Sequence, residues 1–122
     1  MTIKNKDVYV ANLWDWGFLD SCFGGTRIRV TDLDGLVERR GHFLYLEAKS
    51  PGKEVPIGQQ IMFDHIVAAG NTVLVIWGQP NDPQAAQVWG SEVVIADTAK
   101  IQQIVARWYQ CAESDRPFDV NA

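Results

Sequence analysis

His42-Phe43-Leu44-Tyr45-Leu46 and Val73-Leu74-Val75-Ile76 are two nearly continuous apolar runs, separated by a segment of helical period. Successive side chains of a strand point to opposite faces, so a strand without polar alternates belongs in a sheet covered on both sides. A helix joining two such strands makes them a parallel pair. The helix is expected from about Ile57 to Ala69, with Pro56 before it and Gly70 after it; Gln59, Met62, Phe63 and Ile66 share one face. These requirements give an α/β class with a parallel strand pair in its sheet.

Upstream, Arg27-Ile28-Arg29-Val30 alternates polar and apolar, and Arg39-Arg40-Gly41 supplies a turn in which Gly41 takes positive φ. A loop of two residues (Arg40, Gly41) or four (Arg39 to His42) sets Asp34 opposite Glu47 and Asp32 opposite Lys49. A three-residue loop shifts the pairing by one. In the first register Ile28, Val30, Asp32, Asp34 and Leu36 share a face with Phe43, Tyr45, Glu47 and Lys49. The other face carries Leu33, Val37, Leu44 and Leu46. Directly opposed side chains have Cβ atoms about 4.5 to 5.5 Å apart, and like charges so placed repel. A divalent cation offsets this repulsion: Mg²⁺ takes one or two protein carboxylates and completes its shell with water and substrate phosphate. Lys49, on the same face, is then placed to contact the attacking water or the phosphate, the inventory of metal-assisted phosphodiester hydrolysis. The plainer alternative is a pair of ordinary salt bridges, Asp32 with Lys49 and Asp34 with Arg40.

Asp34, thirteen positions later Glu47, then Lys49 after one small residue, resembles the signature of the PD-(D/E)XK nuclease superfamily. The following segment, Pro51 to Ile76, is similar without gaps to the pattern of its VRR-NUC and Holliday-junction-resolvase-like branch. There a loop, a helix-opening Gln, an amphipathic helix ending in Ala-Gly and a buried strand follow in this order, and Gln59 falls on that Gln. The likeness covers residues 27 to 78. Leu33 stands where the usual Pro precedes the Asp. The resemblance implies a restriction-endonuclease-like αβββαβ core, its mixed central sheet covered by helices on both faces, with extra C-terminal strands and a helix. It also implies dependence on Mg²⁺ or Mn²⁺ and cleavage of DNA, in a protein of phage or mobile-element type. Asp34 and Glu47 would hold the metal, with Lys49 and Gln59 positioning water and phosphate. Some members carry a metal-assisting acid on their first helix, which makes Asp20 a candidate and Asp15 a weaker one.

Val10, Leu13, Trp14, Gly17 and Phe18 recur at helical spacing, so residues 8 to 22 are expected to form an amphipathic helix over one sheet face, ended by Gly24-Gly25. Trp14 and Trp16 suit either a core or base stacking. Gln79 to Gln87 reads as a turn-rich loop, Val88 to Asp97 as one or two edge strands. Ala99 to Ala112 reads as a closing helix with Ile101, Ile104, Val105 and Trp108 on one stripe, and 113–122 as a mobile tail.

At 122 residues, 47% of them hydrophobic, the chain fits one domain spanning 1–122. No apolar run reaches membrane-spanning length and the N-terminus lacks a signal-peptide core, so a cytoplasmic protein with no membrane partner is expected. Cys22 and Cys111 are then reduced thiols. His42 and His65, the two histidines, supply neither a zinc cluster nor a catalytic triad. A net charge of −4 argues against a general nucleic-acid coater, although metal-binding carboxylates add to the acidic count. Arg39, Arg40 and Lys53 are the candidate contacts to DNA phosphates, or else a solvated turn. So small a core needs a homodimer or an accessory protein to complete a DNA-binding surface. The rival expectation is a non-catalytic nuclease-fold protein that binds or inhibits a nucleic-acid enzyme.

Overall fold

The computed structural model describes residues 13–120. The chain divides into two compact units, Met1–Asp32 and Leu33–Ala122.

The second unit carries β1 (Gly35–Arg39), β2 (His42–Lys49), α1 (Ile57–Ala68), β3 (Thr72–Gln79), β4 (Asp82–Val88), β5 (Val94–Ile95) and α2 (Thr98–Glu113). Its five strands form one mixed sheet in the order β1-β2-β3-β4-β5. β2 and β3 are parallel, joined through α1, and every other pair is antiparallel. The α/β class follows from the apolar runs and the helix between them, and the mixed sheet from their parallel pairing together with the β1–β2 hairpin, as expected.

Arg40 (φ 51°) and Gly41 (φ 81°) make the β1–β2 turn. Positive φ at both central residues is the turn geometry whose twist matches that of the flanking strands. The two-residue loop fixes the register from Arg39 opposite His42 to Gly35 opposite Leu46. Extended by one residue, that register would set Asp34 against Glu47, although Asp34 itself lies just outside the ladder. The expected strand over residues 27 to 34 does not form, however: the ladder begins at Gly35, and 28–33 belong to no strand. Local hydrogen bonds replace the ladder there. Arg29 donates to the carbonyls of Thr26 and Ile28, and Thr26 Oγ1 bonds both Phe23 O and Ile28 N. The Asp32–Lys49 pairing is therefore not part of the sheet. Among the described residues two strands, not three, precede α1, which departs from the αβββαβ order.

The turn-rich stretch after β3 is not a loop but a hairpin. Only Pro80 and Asn81 form the turn, Asn81 at φ 60°. A register shift between Trp77 and Gly78 absorbs the strand's first residues, with Pro83 opposite Gly78. A Cβ on Gly78 would lie 2.3 Å from the Asp82 carbonyl oxygen, so glycine is required there.

Core residues lie on both sheet faces. Leu44, Leu74, Ala86 and Ala96 pack with Ile104, Trp108 and Ala112 of α2. Val73 and Val75 pack with Val55 and with Phe63 of α1. After α2 the Arg116 N–H returns to the Cys111 carbonyl, and Phe118 packs against the α2-side core. Cys111 is buried, Cys22 is exposed, and both are free. Among the described residues no helix is long and apolar enough to cross a membrane.

In the first unit, Trp16–Phe23 is a 3-10 helix, capped by Asp15 accepting from the Gly17 N–H and ended by Gly24 at φ 66°. Residues 8 to 12 of the expected α-helix, Val10 included, lie outside the described residues. Three residues per turn cannot keep positions 13, 14, 17 and 18 on one stripe. None of the helix residues is buried. Trp14, Trp16 and Phe18 are exposed and instead cluster with one another, ring centroids 5.5 to 6.4 Å apart.

Candidate active site

Glu47 and Lys49 end β2 on the face that carries Tyr45, because strand side chains two apart share a face. The first turn of α1 lies over the same face and brings in Gln59. Lys49 Nζ donates to Gln59 Oε1 at 2.6 Å, Gln59 Nε2 donates to Glu47 Oε1 at 3.2 Å, and Lys49 Nζ is 3.4 Å from that same Oε1. The three side chains form a closed ring. The Lys49 and Glu47 side chains are only 10% and 13% exposed. Charges so far withdrawn from water need partners, and here each has one of opposite charge and one neutral amide. The amide has one orientation that serves both: its oxygen toward the ammonium, its nitrogen toward the carboxylate.

The loop before α1 is fixed by two bonds the sequence did not suggest. Trp77, the ladder partner of Lys49, donates from Nε1 to the Lys53 carbonyl at 2.6 Å, and Gln60 Nε2 donates to the Val55 carbonyl at 2.8 Å. Both anchor the chain just ahead of Gln59.

Asp34 continues the β1–β2 ladder with its side chain. Its Oδ2 accepts the Ala48 N–H at 2.9 Å, one residue beyond the last paired position of β1. The structure therefore brings Asp34, Glu47, Lys49 and Gln59 to one end of β2. The carboxylates of Asp34 and Glu47 each keep one oxygen outside these hydrogen bonds. Two carboxylates near one strand end, each with an oxygen left over, are donors of the kind a hard divalent cation such as Mg²⁺ or Mn²⁺ takes, and such an ion asks for few protein ligands. Among the described residues no group of three or more His, Cys, Asp or Glu side chains that could hold a metal ion gathers.

The other expected site residues have contacts of their own. Asp20 pairs with Arg29 at 3.3 Å within the first unit, and Asp15 caps the 3-10 helix. Arg39 holds the Glu113 carboxylate through both Nε and Nη2, and Arg40 Nη1 donates to the Glu113 carbonyl at 2.9 Å. Beside them His42 Nε2 lies 2.8 Å from Asp115 Oδ1. The hairpin tip is thus latched to the C-terminal end of α2. The hydrogen bond from Arg39 holds the Glu113 carboxyl below its ordinary range and raises the Arg39 guanidinium in return; His42 lowers Asp115 in the same way. Lys53 is exposed on the loop before α1. The latch joins residues more than seventy positions apart, and no local pattern marks it.

Compared with protein-family models, with curated proteins and with solved structures, the chain matches none.

Proposed function

We propose that this protein is a metal-dependent DNA endonuclease of PD-(D/E)XK type, hydrolysing phosphodiester bonds with Asp34, Glu47, Lys49 and Gln59. The observation that carries this reading is the closed ring of Glu47, Lys49 and Gln59 at one end of β2. A strand and a helix spend three converging polar groups where apolar side chains would pack more simply, a break with packing rules that functional sites show. The ring also stands at the carboxyl ends of the parallel strands β2 and β3, where open α/β sheets bind ligands.

The ammonium of Lys49 has three donors, and Gln59 and Glu47 occupy two directions. The third is free for a phosphate oxygen or a water. Gln59 fixes the direction of that ammonium by accepting from it, and it holds Glu47 from the other side. Asp34 and Glu47 would hold Mg²⁺ or Mn²⁺, which when bound polarises the phosphoryl group and lowers the pKa of water. The free N–H groups at the start of α1 add positive partial charge beside Gln59. With Arg39 and Arg40 engaged by Glu113, phosphate contacts outside the ring fall to Lys53 and to a second protomer or an accessory protein.

The test is incubation of purified protein with supercoiled, linear, branched and single-stranded DNA in Mg²⁺ and in Mn²⁺. Wild type should cleave at least one of these, and Glu47→Gln and Lys49→Ala should each lose cleavage by about a hundredfold or more. Full activity of Lys49→Ala would remove the catalytic role. A folded wild type that cuts nothing would make this a non-catalytic protein that binds or inhibits a nucleic-acid enzyme.

A further inference from the structure

Lys49 borders a second feature. A cleft of about 670 Å³ opens where β2 and β3 end, bounded by the β3–β4 hairpin and the first turns of α2. Its volume lies within the range of small-molecule sites. Ala48, which as the strand neighbour of Lys49 points to the opposite face, lines it together with Ser50 and Lys49 itself. The ring lies on the α1 side of the sheet and the cleft on the α2 side, with the last residues of β2 between them.

The lining has a distinct chemistry. Ile76, Ile101, Pro80 and Pro83 give apolar walls, and Gln79, Asn81, Thr98 and Gln102 give neutral amides and hydroxyls. The side chains of those four polar residues hydrogen-bond no other described residue, so their donors and acceptors face solvent or ligand. Besides Lys49, Asp82 is the one charged residue among the described residues of the lining. A phosphate pocket would need several cations, and this cleft has none beyond Lys49. Aliphatic walls with a rim of neutral donors and acceptors suit a nucleobase, which offers an apolar face and a hydrogen-bonding edge.

We infer that this cleft receives one unpaired base of the DNA strand whose phosphate lies against Lys49, so that the substrate is DNA with a single-stranded segment: a tail, a branch or a single strand. This inference rests on the nuclease reading for the phosphate beside Lys49. A strand leaving Lys49 around the end of β2 presents its neighbouring nucleoside to the cleft. A paired base stays in its stack and would have to be flipped out at a cost of a few kcal/mol, whereas an unpaired base enters freely. Discrimination between DNA forms follows from that difference.

The experiment measures binding apart from cleavage, in chelator at low salt, by fluorescence anisotropy of a labelled blunt duplex and of the same duplex with a single-stranded tail. A fluorescent adenine analogue is placed at successive tail positions to report a base taken out of its stack. Wild type should bind the tailed DNA at least about tenfold more tightly than the blunt one, with the analogue changing emission at one position. Thr98→Trp fills the cleft from an exposed position at the start of α2 and leaves the Asp97 cap untouched; it should abolish both the preference and the signal. Gln102→Ala removes a rim amide without filling the cleft and should weaken tailed binding alone. Equal binding of both DNAs by wild type, or an unchanged preference in folded Thr98→Trp, would overturn the inference. Preference without cleavage in Mg²⁺ or Mn²⁺ would keep the base pocket and overturn the nuclease reading, cleavage without preference would do the reverse, and no binding to either DNA would overturn both.

Discussion

Lys49 and Glu47 give up most of their hydration in the folded protein, and Gln59 spans the two. Their energies are therefore coupled rather than additive. Lys49→Met leaves the Glu47 carboxylate with a single amide donor, and the protein should lose about 1 to 3 kcal/mol. Adding Glu47→Gln removes the stranded charge, so the double variant should be more stable than the sum of the two single changes allows, by about 1 kcal/mol. Urea unfolding of the four proteins measures this, and strict additivity would mean that the ring is not a unit. The exposed latch answers to pH instead. Glu113 and Asp115 have folded pKa values lowered from the ordinary 4.5 and 3.8, by hydrogen bonds from Arg39 and His42 respectively. Their contribution is full above those ordinary values and is lost as pH falls through the lowered folded values. Both carboxylates are exposed, so the effect on global stability is small. In an NMR titration, Arg39→Gln should return the Glu113 carboxyl upward toward 4.5; an unmoved titration would show that Arg39 does not hold it.

Elements differ in how far their own residues determine them. The β1–β2 hairpin was legible because Gly41 marks the turn and a side-chain period of two transmits the register from there to Asp34 and Glu47. α1 and β3 were legible from apolar spacing and the flanking Pro56 and Gly70. β4 was not, because Pro80, Asn81, Asp82 and Pro83 all suit turns and only tertiary pairing selects two of them for one. The strand before Gly35 failed for a related reason: alternation over residues 27 to 30 gives no weight to the local bonds of Thr26 and Arg29 that satisfy the backbone instead. For the candidate site, the four residues at the end of β2 were visible in their spacing, whereas the latch and the Trp77 anchor depend on long-range packing. The irregular β3–β4 hairpin carries its own prediction. Gly78→Ala forces a methyl against the Asp82 carbonyl, backbone on backbone, and should cost about 1 to 3 kcal/mol in urea unfolding. Retained stability would mean that the two strands part there at little cost.

With a net charge of −4, the protein would meet a polyanionic substrate against its own field, and Asp34 and Glu47 add to that field at the very end of β2 where a phosphate would bind under the proposed function. A bound divalent cation reverses the local sign. The same ion should link stability to function. In chelator, Asp34→Asn keeps an oxygen to accept the Ala48 N–H, so the ladder extension survives, while one of two opposed negative charges is lost. The variant should then equal wild type or exceed it by up to about 1 kcal/mol. In millimolar Mg²⁺ or Mn²⁺ the ranking should reverse. An ion that binds only the native state stabilises wild type by about 2.7 kcal/mol at a hundred times its dissociation constant, whereas the variant, with one ligand charge fewer, gains much less. Glu47→Gln should likewise lose the metal response, although its effect in chelator is set by the Lys49 ammonium it leaves less well paired. Thermal unfolding of the three proteins with chelator and with metal decides the matter. If Asp34→Asn is destabilised by the same amount in both conditions, the Asp34 carboxylate serves the strand end alone and the metal assignment fails.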